Sequence, residues 1–290
     1  MVSIIINPVS GGGTPSSAKA RADLAVATLA AKGVRGAVHC TQHRGHAQAL
    51  ASAAVRRGEE RVIAWGGDGT VNEIASALVG TDTVLGVVPA GSGNGLAREL
   101  RLPTSPDLAL AHALSAPVRL IDAGTLGGRW FFSIAGVGFD AHVAAAFDRD
   151  GGRRGLAGYM RITARELWRY ECLQYRIDGA PPLHALLLTF ANTTQFGNGA
   201  RIAPSARIDD GLLDLVIFEE RSRLLTLWGL PSLFTGHAER VPGVSIRKVT
   251  ASVVESSTPM LFHVDGEPVR GETRLEARIH AGVLNVAGGK

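Results

Sequence analysis

The chain has 290 residues, 30 basic and 26 acidic, and its formal net charge of +4 is too weak for a dedicated nucleic-acid binder. Apolar residues make up 46% and charged residues 19%, which excludes disorder as the main state and leaves material for one large core or two ordinary ones. Cys40 and Cys172 are too few and too far apart for a disulfide scaffold or a paired CxxC zinc site, so a reducing compartment is expected.

At the N-terminus, Met1-Val2-Ser3-Ile4-Ile5-Ile6 is short and lacks a basic start, so no secretory leader is expected. It reads as the first of four β-branched runs, residues 3–6, 36–40, 61–65 and 84–88, which alternate with helix-period segments at 17–32, 47–57 and 71–79. That alternation predicts a parallel α/β domain over residues 1–122. Ile4-Ile5-Ile6 and Val84-Leu85-Gly86-Val87-Val88 are apolar on both faces, as buried central strands are.

From residue 123 the texture changes. Residues 122–126 and 129–134 flank Gly127-Gly128, a two-residue hairpin turn, and further strands are expected at 173–177, 185–191, 213–218, 244–254, 260–264 and 274–279. Helices are expected at 156–170 and 223–230. The pattern predicts a mostly antiparallel β domain over residues 123–282. With no Pro/Ser-rich linker and no internal repeat, the two domains are expected to share a cleft. The apolar stretch 224–234 is broken by Gly229 and Pro231 and falls below the roughly 18 residues that a bilayer span needs.

Ligands of open α/β sheets gather beyond the carboxyl ends of the strands. Three of the four predicted ends are Gly-rich: Asn7-Pro8-Val9-Ser10-Gly11-Gly12-Gly13, Gly66-Gly67-Asp68-Gly69-Thr70 and Pro89-Ala90-Gly91-Ser92-Gly93-Asn94-Gly95; the other is followed by Thr41. Glycine lets successive N–H groups approach and cradle phosphate oxygens, so a nucleotide phosphate site is expected on this edge. GxxxxGK[ST] is absent, and GxGxxG fails at Asn72 and at Leu96, which disfavours P-loop NTPases and dinucleotide dehydrogenases. Asp68, a carboxylate among glycines, either holds Mg²⁺ beside phosphates, takes a proton from an attacking hydroxyl, or only caps the turn.

Gly66-Gly67-Asp68-Gly69-Thr70-Val71-Asn72-Glu73 with Pro89-Ala90-Gly91-Ser92-Gly93-Asn94 resembles the catalytic domain of the diacylglycerol kinase and sphingosine kinase superfamily, in its bacterial soluble lipid kinase branch. The resemblance continues, in the family's order, through Ala135-Gly136-Val137-Gly138-Phe139-Asp140-Ala141, Ala203-Pro204-Ser205-Ala206, Asp209-Asp210-Gly211-Leu212-Leu213-Asp214 and Val264-Asp265-Gly266-Glu267-Pro268. The GGDG element alone is shared with NAD kinases. The resemblance implies an α/β first domain like that of NAD kinases and phosphofructokinases, joined again by residues 283–290, and a β-rich lipid-substrate domain. It places ATP at Asn7, Pro8, Ser10, Gly11, Gly12, Thr41, Gly66, Gly67, Asp68, Gly69, Thr70, Asn72, Glu73, Ser92 and Asn94. It gives Glu267 the part of proton acceptor, with Asp68 as the other candidate. It makes Asp210, with the carbonyls of Arg207 and Leu212, a structural Mg²⁺ site.

The implied activity is ATP- and Mg²⁺-dependent phosphorylation of a lipid hydroxyl, on diacylglycerol, a related glycerolipid or a sphingoid lipid. Ser92-Gly93-Asn94-Gly95 is nearer the sphingosine kinase form of that loop. A small-molecule kinase of NAD kinase type and a silent nucleotide or lipid sensor are the competing readings; the Asp210 and Glu267 motifs argue against the former, and intact Asp68 and Glu267 against the latter. His39, Cys40, His43 and His46 are set aside as a zinc site because Thr41 falls at the nucleotide. The protein is expected in the cytoplasm, with peripheral contact at the inner membrane face, no nucleic-acid partner and homo-oligomerisation left open. Arg161, Arg165 and Arg169 form a stripe on the 156–170 helix, alongside Tyr159, Ile162, Leu167 and Trp168, that either docks on anionic lipid or is a solvated face; residues 224–231 are a second docking candidate.

Overall fold

The computed structural model describes residues 1–149, 156–195, 201–221, 236 and 238–288. They form two compact units, one of Met1–Ile121 with Gly282–Lys290 and one of Asp122–Ala281.

The first unit contains β1 (Val2–Ile6), α1 (Pro15–Ala31), β2 (Gly36–Cys40), α2 (His46–Arg56), β3 (Arg61–Gly66), α3 (Asp68–Leu78), β4 (Val84–Pro89), α4 (Gly95–Glu99) and α5 (Pro106–Ser115). Strands β2, β1, β3 and β4 lie in that order and all pair in parallel. The chain leaves β1 for β2 on one side and returns to β3 on the other, which makes the carboxyl ends of β1 and β3 a topological switch point. Ile4, Ile6, Ile63, Trp65 and Val88 are buried with Ala25 and Leu29 of α1 and Leu110 of α5, so β1, β3 and β4 share an apolar face with that helix layer. Thr14 starts α1 with a capping box shared with Ser17, and Pro15 supplies the fixed φ that suits a first turn.

In the second unit the elements are β5 (Val118–Leu126, which begins in the first unit), β6 (Arg129–Phe131), β7 (Ile134–Gly138), α6 (Phe139–Arg149), α7 (Leu156–Leu167), β8 (Leu173–Ile177), β9 (Leu183–Ala191), β10 (Leu213–Glu219), β11 (Val244–Val249), β12 (Ala251–Ser256), β13 (Leu261–Val264), β14 (Glu267–Arg270) and β15 (Arg274–Ala287). Strands β7, β9, β10 and β11 pair antiparallel in sequence, β13 joins β7, and β14 is the edge strand beside β13. The core gathers Phe131, Tyr175, Phe190, Leu215 and Phe262. The end of β15 runs in the first unit, where Val286 pairs in parallel with Leu85 of β4.

Several expectations change. The run 244–254 is two strands: β11 pairs with β10, whereas β12 pairs with β8 and β15, and the chain turns at Thr250 between them. Residues 129–134 also divide, between β6 and β7. Helix α7 stops at Leu167, where the Glu166 carbonyl accepts from the N–H groups of Arg169 and Tyr170. Helices α4, α5 and α6 form where the sequence pattern predicts none. The predicted helix at 223–230 and the docking candidate at 224–231 lie outside the described residues. Among the described residues, no helix is long and apolar enough to cross a membrane.

Candidate active site

Helix α3 begins at Asp68, with Gly67 as its cap, so Asp68-Gly69-Thr70 is the first helical turn rather than loop. This turn follows β3 directly and carries the positive end of the helix dipole to the switch point. The Asp68 carboxylate accepts two backbone N–H groups, that of Asn94 on Oδ2 at 2.8 Å and that of Gly95 on Oδ1 at 2.7 Å. The loop after β4 is thereby tied to the loop after β3. Asn94 tightens the same loop, accepting the Gly91 N–H at 2.9 Å and donating to the Gly91 carbonyl at 2.8 Å. Arg98 Nε adds a bond to the Gly93 carbonyl at 2.8 Å.

Two of the glycines serve this loop-to-loop approach. A Cβ on Gly91 would stand 2.7 Å from the Cα of Gly67 and 2.9 Å from Asn94 Oδ1. No side chain fits between the loops, whatever ligand they meet. Gly12 differs: it is exposed and nothing lies within 4 Å of its Cβ position, which leaves the backbone there open to approach.

The loop after β1 joins the group through Asn7, whose Nδ2 donates to Thr70 Oγ1 at 2.9 Å. Arg21 of α1 holds this loop from below, donating to the carbonyls of Asn7 at 3.2 Å and Ser10 at 3.0 Å. Thr41 follows β2 and donates its N–H to the Ile6 carbonyl at 2.9 Å, beside the end of β1. Gly66 ends β3, and Pro8, Gly11 and the exposed Ser92 lie on the loops it neighbours. Asn72 is half-buried on α3, where its Oδ1 accepts from Ser76 at 3.5 Å. Glu73 faces another way, accepting the N–H groups of Gly45 at 2.8 Å and Ala47 at 3.1 Å at the start of α2. Its carboxylate caps a helix, which suits the dipole there.

Glu267 begins β14, and the second unit fixes it through its neighbours. Asp265 and Gly266 have φ values of 48° and 84°, the left-handed pair that a two-residue turn between antiparallel strands requires. The Asp265 carboxylate accepts the N–H groups of Phe132, Ser133 and Ile134 at 2.8–3.1 Å. On the next residue the Gly266 N–H donates to His263 Nδ1 at 3.3 Å, so that nitrogen carries no proton and Nε2 is the donor to Asp140 Oδ2, 3.1 Å away. Thr189 Oγ1 donates to the same oxygen at 3.0 Å, and Ala141 N–H bonds the other at 2.8 Å. His263 and Asp140 are buried. Asp140 fits because Gly136 leaves the room: a Cβ there would collide with Asp140 Oδ2. The AGVGFDA and DGEP motifs therefore meet, with Asp140, His263 and Asp265 as support for the turn that bears Glu267.

The metal expectation meets a different arrangement. Asp210 Oδ2 accepts from Lys248 Nζ at 2.7 Å and its Oδ1 from the Leu212 N–H at 3.1 Å, while Arg207 is exposed and 3.4 Å from Asp209. An ammonium stands against the carboxylate where the resemblance puts a divalent ion, so the side chains present do not fit a resident Mg²⁺. Among the described residues, no three His, Cys, Asp or Glu side chains gather as metal ligands. At the set-aside zinc cluster, His43 stacks on His46 with ring centroids 5.0 Å apart, and His46 Nδ1 accepts the Gln42 N–H.

On α7, Arg161 and Arg165 are exposed, as are Arg169 and Trp168 just beyond its end; Ile162 and Leu167 are buried. Arg165 Nε donates to Glu166 Oε1 at 2.8 Å, and His142 Nε2 lies 2.8 Å from Glu166 Oε2. The hydrogen bonds from His142 and Arg165 hold the Glu166 carboxyl below its ordinary range. The side chain of Tyr159 lies outside the described set.

Residues 1–126 match the family model described as the diacylglycerol kinase catalytic domain, and residues 133–288 match the YegS C-terminal NAD kinase beta sandwich-like domain. A probable lipid kinase YegS-like protein of Chromohalobacter salexigens is 36% identical over 264 residues, 87% of this chain and 83% of the relative. A diacylglycerol kinase of Mycobacterium tuberculosis is 34% identical over 270 residues, 88% of this chain and 84% of the relative. Among solved structures, a putative diacylglycerol kinase from Bacillus anthracis superposes with a TM-score of 0.80 at 20% identity, covering 99% of this chain and 96% of that one.

Proposed function

From the premise that this chain belongs to the diacylglycerol kinase catalytic-domain family, with relatives named YegS-like lipid kinases and diacylglycerol kinases, we propose that it transfers the γ-phosphoryl group of ATP to a lipid hydroxyl. The acceptor is diacylglycerol, a related glycerolipid or a sphingoid lipid. The observation that carries this reading is the set of three Gly-rich loops after β1, β3 and β4, cross-tied by Asn7, Asp68 and Asn94 at the switch point. Phosphoryl transfer needs positioning and charge stabilisation more than covalent chemistry, and a rigid edge of backbone N–H groups at a helix start supplies both.

In this account the phosphates of ATP rest on residues 7–12, on the first turn of α3 and on the exposed Ser92, while Asn94 shapes the loop that carries Ser92. Magnesium arrives with the nucleotide as part of the MgATP substrate, where it neutralises charge shared by the β- and γ-phosphoryl oxygens. The lipid hydroxyl oxygen attacks the γ-phosphorus, the bond to the β-bridging oxygen breaks, and ADP leaves. Glu267 takes the hydroxyl proton and returns it to solvent. Asp68 acts by holding the phosphate loops in register. Because the acceptor stays in the bilayer, we place the reaction at a membrane surface, with the exposed Arg161, Arg165 and Arg169 as the basic contact.

The test is radiolabelled ATP supplied with a mixed lipid extract and, separately, with NAD. This reading expects label in an organic-phase phosphate monoester. Label in NADP, or none above background hydrolysis, contradicts it.

A further inference from the structure

Strands β10 and β11 pair so that Asp214 lies directly across from Lys248. The Asp214 side chain is 1% exposed; its Oδ1 accepts from Ser205 Oγ at 2.8 Å, while Oδ2 has no hydrogen-bond donor among the described residues and stands 3.4 Å from Lys248 Nζ. A buried carboxylate without compensating charge is costly, so this oxygen needs a cation nearby. The same ammonium donates to Asp210 Oδ2 at 2.7 Å. One lysine thus stands between two carboxylates on a segment fixed from another side as well, since Asp122 Oδ2 accepts the Gly211 N–H at 2.7 Å.

We propose that the Lys248 ammonium is the resident cation of the Asp210–Asp214 site, in the place where the family resemblance puts a structural divalent ion. Two carboxylates and one ammonium leave a single net negative charge. A divalent ion in addition would stand against the ammonium, and Mg²⁺ demands near-octahedral oxygen ligation at about 2.0–2.1 Å. Both Asp210 oxygens are instead engaged by donors, Leu212 N–H and Lys248. The inference is independent of the phosphoryl-transfer reading.

Its test uses the full chain without nucleotide. Metal content after dialysis and thermal unfolding, in chelator and in millimolar Mg²⁺, are measured for the wild type, Asp210→Asn, Lys248→Met and Lys248→Arg. The wild type should retain no stoichiometric divalent metal and unfold at the same temperature in both buffers. Lys248→Met should unfold at least about 5 °C lower in chelator, with Lys248→Arg closer to the wild type. Stoichiometric metal in the wild type, or an Mg²⁺ stabilisation of the wild type that Asp210→Asn removes, overturns the proposal. So does a Lys248→Met protein as stable as the wild type in chelator. The wild-type measurements decide the matter even if Lys248→Met does not fold.

Discussion

Asp68 and Asn94, twenty-six residues apart, are joined by a 2.8 Å hydrogen bond from the Asn94 N–H to the Asp68 carboxylate, and Gly95 donates to the other oxygen. Asp68→Asn would turn one acceptor into an NH₂ group facing a backbone N–H, so one tie becomes a repulsion while volume is kept. We expect kcat/KM for ATP to fall by at least about tenfold, roughly 1.4 kcal/mol, with circular dichroism unchanged. Activity within about threefold of the wild type would leave Asp68 as a turn residue only.

Gly91→Ala probes the same relationship from the side of shape. A methyl group there meets backbone, the Gly67 Cα at 2.7 Å, which cannot move as a side chain can. Urea unfolding should show a loss of about 1–3 kcal/mol, together with weaker ATP binding. Unchanged stability and affinity would mean that the loops tolerate a wider separation.

The parallel strands were legible because Ile4-Ile5-Ile6 and the run 84–88 are short, β-branched and apolar on both faces and alternate with helix-period segments. The hairpin at Gly127-Gly128 was legible because two-residue turns demand particular residues, here Gly-Gly. What glycine spacing could not convey is that Gly67 and Gly91 approach each other, since that depends on β3 and β4 being neighbours. His263 and Asp140 are 123 residues apart and leave no local signal. Lys248 was hidden for a related reason: read as one strand over 244–254, its segment had no register with Asp214.

For His263, the relay from Asp140 to the Gly266 N–H predicts an effect on catalysis that depends on Glu267. His263→Asn keeps an acceptor near the backbone but is too short to reach Asp140; His263→Gln restores the reach. The Asn variant should lose at least about tenfold in kcat with KM for ATP unchanged, and Gln should recover part of it. Combined with Glu267→Gln, His263→Asn should cost little more. Equal losses in both backgrounds would make the effect one of stability alone.

Replacing Arg161, Arg165 and Arg169 by Gln should weaken binding to anionic vesicles and flatten its salt dependence, while activity on a short-chain dispersed lipid is kept. Each arginine near such a surface contributes about 1 kcal/mol. Vesicle binding identical to that of the parent would make the three a solvated face.

The central claim is that this chain moves phosphoryl groups from ATP to a lipid hydroxyl with Glu267 as the base. Labelled ATP, saturating acceptor lipid, the wild type and Glu267→Gln in one assay test it most directly. The Gln side chain keeps shape and hydrogen-bonding size but takes no proton, so the account predicts lipid labelling by the wild type and a kcat lower by a factor on the order of 10² to 10⁴ in the variant, with ATP affinity little changed. Near-normal labelling by Glu267→Gln, with the acidic limb of its pH profile intact, would contradict it.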